Sequence, residues 1–285
     1  MRFRLYRENG ALNSPPVFDA FEQGLRRLGH TVVNDGEDVA VIWSVLWNGR
    51  MAPNRAVYED CKRNKKPIII IEVGNLFRNT TWRICLNHIH GLGEFANDTD
   101  LDKSRPEKLG INVNPTNLDR KKEILIATQH NKSLQWEGMP TMADWTLNII
   151  DKIRKHTDMA ISIRPHPRSP MPGIEHEFKN VHRQTPKKLT GTYDDFDIDY
   201  NYHCVINHNS GPTIHAALAG TPVICHESSL AFPVSDTIEN ILSPTLPDRN
   251  DWIVRLSHTE WTVKEIGLGI PLKRLENIIK TQIKT

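Results

Sequence analysis

Residues 205–224 read Val-Ile-Asn-His-Asn-Ser-Gly-Pro-Thr-Ile-His-Ala-Ala-Leu-Ala-Gly-Thr-Pro-Val-Ile. An apolar strand runs into a polar turn and then into an Ala-rich helix. Gly211 lets a backbone approach a ligand closely. Ser210 or Thr213 can cap the helix, whose free N–H groups and dipole favour an anion. His208, Asn209, Ser210, Gly211 and Thr213 are therefore expected around a phosphate. An ordinary strand–cap–helix junction shares the pattern, but two histidines and two asparagines crowd this one. A second cluster, Ile161-Ser162-Ile163-Arg164-Pro165-His166-Pro167-Arg168, also follows a strand. Arg164 and Arg168 offer guanidinium forks for phosphate and His166 a further donor. Its alternative reading is a solvated basic turn.

The elements that must position these residues alternate. In the first third, Arg2 to Tyr6 reads as a strand and Pro16 to Leu28 as an amphipathic helix. Thr31 to Val33, Val39 to Trp43 and Pro67 to Glu72 read as further strands, with a helix from Pro53 to Lys62. The order argues for an open, doubly wound sheet. Asn97 to Arg120 is polar and reads as the tail of a domain and a linker. A second α/β unit follows, with strands near 123–128, 159–164, 202–207 and 221–225. Its helices are expected at 141–156 and 213–219, and a basic amphipathic helix spans Lys273 to Lys284. The expected domains are 1–118, 119–270 and a C-terminal helix at 271–285 that packs back on the first. The fold class is α/β: two Rossmann-like domains facing a central cleft. Ligands of such sheets sit at the carboxyl ends of strands, where both clusters lie.

Composition narrows the function classes. The formal net charge of the 285 residues is +2, which excludes a polybasic nucleic-acid binder; an acidic partner would need a local patch. Cys61, Cys85, Cys204 and Cys225 form no CxxC pair, so zinc is not expected. His88 and His90 have ligand-like spacing but no third ligand nearby, and no metal is expected. The sequence shows no signal peptide and no membrane span, so a cytoplasmic enzyme with reduced thiols is the expectation.

The strand ending in His166-Pro167 and the Asn209-Ser210–helix–Gly220-Thr221-Pro222-Val223 segment resemble the C-terminal half of GT-B glycosyltransferases of the capsule-polysaccharide type. The segments Trp43–Arg50 and Ile71–Arg78 are similar to stretches of bacteriophage glycosyltransferase-like proteins that decorate hydroxymethylated pyrimidines in DNA. The resemblance implies a nucleotide-sugar donor, uridine-linked, as co-substrate with no other cofactor. It implies that Glu227 meets the donor's ribose. Capsule-type transferases carry a Glu-Asp-Gly-Phe-x-Arg-like stretch after a strand of the first domain; here Val73 replaces the Asp, which leaves Glu72 as the candidate base. Glu72 pairing with Arg78 is the structural alternative, and Asp38, His88 and His90 are other possible bases.

Trp43, Trp47, Arg50 and Arg55 interleave aromatic and basic residues, as do Arg78, Trp82 and Arg83. Such a surface can stack on bases or sugars and read phosphate, and an enzyme that modifies a base in duplex DNA must extrude it. Core tryptophans beside solvated arginines give the same pattern. The expected function is transfer of a sugar to 5-hydroxymethylcytosine in double-stranded phage DNA, in the host cytoplasm. A capsule or surface-glycan transferase of the same fold is the rival enzyme. A non-catalytic nucleotide- or DNA-binding module is the rival of another class.

Overall fold

A computed structural model describes residues 1–191 and 195–284. In chain order its elements are β1 (Arg2–Leu5), α1 (Pro15–Arg27), β2 (Thr31–Val32), β3 (Val39–Trp43), α2 (Asn54–Arg63), β4 (Ile68–Val73), β5 (Thr81–Leu86) and α3 (Arg105–Lys108). Then come β6 (Glu123–Ala127), α4 (Met142–Arg154), β7 (Ala160–Arg164), β8 (Val181–Arg183), β9 (Lys187–Lys188), β10 (Phe196–Asp197), β11 (Cys204–Ile206), α5 (Gly211–Leu218), β12 (Val223–Ile224) and β13 (Ser235–Asp236). Last are α6 (Asn250–Ser257), β14 (Glu260–Thr262), α7 (Val263–Gly267) and α8 (Ile270–Lys284).

The chain forms two compact units. The first comprises Met1–Ile111, Lys132–Gln135 and Ile253–Thr285. Its sheet runs β14-β5-β4-β3-β1-β2. β2, β1, β3 and β4 are parallel, and β5 and β14 add antiparallel pairs. All five residues of β3 are buried, as a parallel strand covered on both faces requires. α1 buries Val17, Phe18, Phe21 and Leu25 on one stripe. It ends where Gly29 takes a left-handed φ of 74°, at no steric cost for glycine. α8 adds Leu272, Leu275 and Ile279 to the same core.

Two elements here were not read from sequence. Arg83 interrupts the apolar run of β5, yet all six of its residues are buried. β14 is three residues long and pairs with β5 across more than 170 residues of chain. This pairing brings the chain back to the first unit at Ile253, whereas the sequence reading placed the return at 271. Arg105 secures it: its guanidinium donates to the carbonyls of Ser257 and Glu260 at 2.8 Å each, pairs with Glu265 and lies 4.2 Å from the Trp261 ring.

The second unit is Asn112–Asn131 with Trp136–Trp252. Its six-stranded sheet has the order β13-β12-β11-β6-β7-β8, and every pairing is parallel. The chain starts at the centre with β6, winds outward through β7 and β8, then returns to lay β11, β12 and β13 on the other side. The strand order reverses between β6 and β11, where doubly wound sheets leave a crevice at the carboxyl edge. Ile124, Ile126, Ile161, Ile163, Cys204 and Ile206 pack against Ile149, Ile150 and Ile153 of α4. All four cysteines are free thiols, and only Cys225 is not fully buried. Among the described residues, no helix is long and apolar enough to cross a membrane.

Candidate active site

The crevice of the second unit is built on register. Ile206 pairs with Ile126, and three residues beyond each lie Asn209 and Gln129, both buried. The Asn209 backbone N–H donates to Gln129 Oε1 at 3.1 Å, which makes the other end of that amide a donor. Gln129 Nε2 donates to Asn209 Oδ1 at 2.9 Å, so Asn209 Nδ2 must donate in turn, and it meets Ser228 Oγ at 2.9 Å. Ser228 then spends its one proton on His226 Nδ1, 2.9 Å away. One backbone N–H thereby sets the direction of the whole chain of bonds. It leaves the exposed His226 ring with its proton on Nε2, a donor at the mouth of the crevice.

Beside this relay, Asn207 fixes the start of α5. Its Nδ2 donates to the Ala127 carbonyl at 2.8 Å, and its Oδ1 accepts from the Ser210 N–H at 2.6 Å and the Ser210 hydroxyl at 3.1 Å. Ser210 occupies the N-cap position with extended backbone, but its side chain makes no capping bond. The first turn of α5 is left without a side-chain acceptor, the arrangement that receives an anion. Ser210 and Gly211 are partly exposed there, as are His130 and His166 at the ends of β6 and β7. The two imidazole rings meet edge-on at 5.3 Å, and His166 N–H donates to Thr128 Oγ1 at 2.9 Å. Arg168 and Glu227 are exposed on the same carboxyl edge.

Three expected ligand contacts take other places. Thr213 is fully buried, and its hydroxyl donates to the Ser210 carbonyl at 3.3 Å. Arg164 is 5% exposed and turns beneath the chain before β11. It donates to Gln184 Oε1 at 2.8 Å and the Asp199 carbonyl at 2.5 Å, and it lies over the rings of Tyr200 and Tyr202. Ser162 and Arg164 share one strand face while Ile161 and Ile163 point to the α4 core, so strand alternation sends this guanidinium to the far side. His208 packs against Trp136 and His226 at centroid distances of 5.4 and 4.6 Å. Burial, and then the neighbouring His226, pulls its pKa down to about 4, so it is neutral at pH 7 and acts as a packed ring.

The first unit has its own polar row. Trp43 pairs with Ile71, Glu72 with Arg83, and Arg83 with Glu260, so Ser44, Glu72, Arg83 and Glu260 occupy one level across four neighbouring strands. Ser44 Oγ donates to Glu72 Oε2 at 2.5 Å, and Val73 N–H donates to Glu72 Oε1 at 2.9 Å. Glu72 is half-buried at the carboxyl end of β4. Asp38 lies at the other end of the sheet, just before β3, and accepts from the Arg2 backbone N–H at 2.7 Å and its guanidinium at 3.2 Å. The two expected carboxylates therefore do not come together.

Trp43 and Trp82 are 1% and 7% exposed and belong to the core, which removes them from any acceptor surface. β3 is covered on both faces, and Trp43 lies on the same buried face as Val39 and Val41. Trp47 is half-buried, 5.7 Å from Tyr58, while Arg50, Arg55 and Arg78 are exposed in or just beyond the loops that follow β3 and β4. The His88 and His90 rings lie 6.2 Å apart, and burial with nearby Lys62 lowers the His88 pKa to about 4. No cluster of three His, Cys, Asp or Glu side chains that could hold a metal exists among the described residues. Sequence reasoning missed Gln129, Asn207, His226 and Ser44; the equal offset of Gln129 and Asn209 from paired strands was the one signal available.

No family model matches this chain. No curated protein matches it. Solved structures do. The β-Kdo 2,7 transferase of Thermosulfurimonas dismutans KpsC matches with a TM-score of 0.52 at 13% identity, covering 95% of this chain and 99% of that one. The chain shares that transferase's fold. The β-Kdo 2,4 transferase of the same KpsC has a TM-score of 0.48 at 10% identity, over 99% of this chain and 98% of that one. A Staphylococcus aureus MnaA–UDP structure has a TM-score of 0.32 at 12% identity, over 100% and 96%.

Proposed function

We propose that this protein is a GT-B glycosyltransferase that moves a sugar from a nucleotide-sugar donor to an acceptor hydroxyl. The observation that carries the reading is the relay from Gln129 to His226 beside the uncapped start of α5, both at the reversal point of a parallel sheet. Such a site offers fixed donors where a leaving diphosphate gathers negative charge, and pre-oriented donors need no reorganisation as the reaction proceeds. Ser210, Gly211, His226 and Arg168 are the groups we assign to the diphosphate. Glu227, exposed after β12, fits the ribose hydroxyls. The donor nucleotide we propose is uridine-linked.

Glu72 of the first unit is the proposed base. Its carboxylate accepts the acceptor's hydroxyl proton as the new glycosidic bond forms and the bond from the anomeric carbon to phosphate breaks. A surface-glycan acceptor is favoured, in keeping with the fold shared with a Kdo transferase. The DNA reading drew on three tryptophans, and two of them are interior. What supports it now is the exposed trio Arg50, Arg55 and Arg78. The deciding experiment incubates the protein with UDP-sugars and nucleotide-activated Kdo, against oligosaccharides and hydroxymethylcytosine DNA, and reads mass shifts. A sugar added to glycan with weak salt dependence supports the first acceptor; addition to DNA, lost steeply with salt, supports the second. No transfer and no donor hydrolysis with any pair would overturn the enzyme reading.

A further inference from the structure

The row Ser44–Glu72–Arg83–Glu260 contains more than a base needs for itself. Ser44 is 3% exposed and has a left-handed φ of 63°, a backbone that side chains other than glycine rarely adopt. Its position is held from two directions: Ser44 N–H donates to the Ile71 carbonyl at 2.8 Å, and the buried Asn54 amide donates to the preceding Trp43 carbonyl at 2.6 Å. That unusual backbone delivers the hydroxyl to Glu72, and the hydroxyl oxygen accepts the Leu46 N–H at 3.2 Å.

At the other end of the row, Glu260 is 0% exposed. Its carboxylate accepts the N–H groups of Asn75 at 2.5 Å and Leu76 at 3.1 Å, and the Thr81 hydroxyl at 2.8 Å. These bonds fix the turn that leaves β4 directly after Glu72. The turn comes so close that a Cβ on Gly74 would lie 2.5 Å from Glu260 Oε2, which only glycine allows. Between the two carboxylates stands Arg83, 6% exposed, with Nε on the Val73 carbonyl at 3.2 Å and Nη1 on the Ile89 carbonyl at 3.1 Å. Burial raises the Glu260 pKa and the Arg83 charge opposes this. Facing residues of paired strands share one side of the sheet, so Arg83 has a carboxylate for a neighbour on each flank.

We propose that Ser44, Arg83 and Glu260 are positioning residues that hold the Glu72 carboxylate in place for the acceptor hydroxyl. This rests on Glu72 as the base. The Ser44 hydroxyl donates to one Glu72 oxygen, and Glu260 stands on the other flank of Arg83 at the same level of the sheet; loss of Ser44 takes a donor from the carboxylate, and loss of the Glu260 charge takes a negative neighbour from the row. The two therefore act in opposite senses. Ser44→Gly removes the hydroxyl while suiting the left-handed backbone, and Glu260→Gln removes the charge while keeping an acceptor for the turn.

The test compares pH profiles of kcat/KM for the native enzyme and both variants, with 13C NMR titration of the Glu72 carboxyl as a readout that needs no turnover. In Ser44→Gly the acid limb and the titration midpoint move to higher pH by about one unit. In Glu260→Gln both move to lower pH by about half a unit. In each variant kcat falls about tenfold while the donor KM stays within twofold. Midpoints that stay put, or that move in the same direction, would overturn the proposal. Glu72→Gln separates the two levels: full activity in that variant would remove Glu72 as the base, and the NMR midpoints would still decide whether the row controls its carboxyl.

Discussion

Replacing Asn209 with Asp alters one atom of the relay and reverses the rest of it. Asn209 Nδ2 now donates to Ser228 Oγ, and Ser228 donates to His226 Nδ1, each at 2.9 Å. A carboxylate oxygen at that place cannot donate, so the Ser228 hydroxyl turns toward it. The His226 ring is then held by a Nδ1–H donated to Ser228 Oγ, and its outward nitrogen becomes a bare acceptor. The site loses one charge-assisted hydrogen bond to a diphosphate, worth about 1.5–3 kcal/mol. The added carboxylate repels each phosphate charge by a further ~2 kcal/mol at about 8 Å and an effective dielectric constant near 20. Gln129 Nε2 still has its acceptor, so the fold keeps most of its bonds. We expect UDP to bind at least about three-hundredfold more weakly by titration calorimetry. 15N spectra of His226 are expected to move from the Nε2-protonated to the Nδ1-protonated pattern. Ser228→Ala, which breaks the relay without adding charge, is expected to cost about tenfold. UDP affinity within threefold of native in Asn209→Asp, with His226 still protonated on Nε2, would refute the relay.

Three other outcomes follow from the same geometry. His208 has a folded pKa of about 4 against 6.5 unfolded, so between those values the unfolded chain holds more protons and stability falls as pH drops through that window; His208→Phe should remove on the order of 3 kcal/mol of that loss in urea melts run at pH 7 and pH 4. An equal slope in the variant would show that His208 is not responsible. Arg105→Ala strands two carbonyls and the half-buried Glu265, and should destabilise the first unit by about 3–5 kcal/mol in denaturant titrations; a loss under 1 kcal/mol would mean that β14 and α7 need no such clamp. Arg164→Met should lower the melting temperature by several degrees yet leave UDP affinity within threefold once folded, because the guanidinium faces Tyr200, Tyr202 and the Asp199 carbonyl; a tenfold loss of affinity would return Arg164 to the ligand.

The sequence by itself determined the α/β alternation, the strands that end in polar loops and the polar turn that leads into α5. These are local matters: apolar runs of strand length, Pro15–Pro16 opening α1, and a Gly-Pro step after Asn-Ser all act within a few residues of chain. Glu72 at a carboxyl strand end was legible for the same reason. What only the tertiary structure decided is which side chains share a level of a sheet and which face each one takes. Gln129 meets Asn209 because β6 and β11 are neighbours in register, though 80 residues separate them. Glu260 reaches the turn after Glu72 because a three-residue strand too short to carry any periodicity pairs with β5. Trp43, Trp82 and Arg164 resembled ligand contacts by type, but each stands in a strand that is buried on both faces. Residue type and spacing announce which chemistry is possible; register and burial decide which residues can perform it.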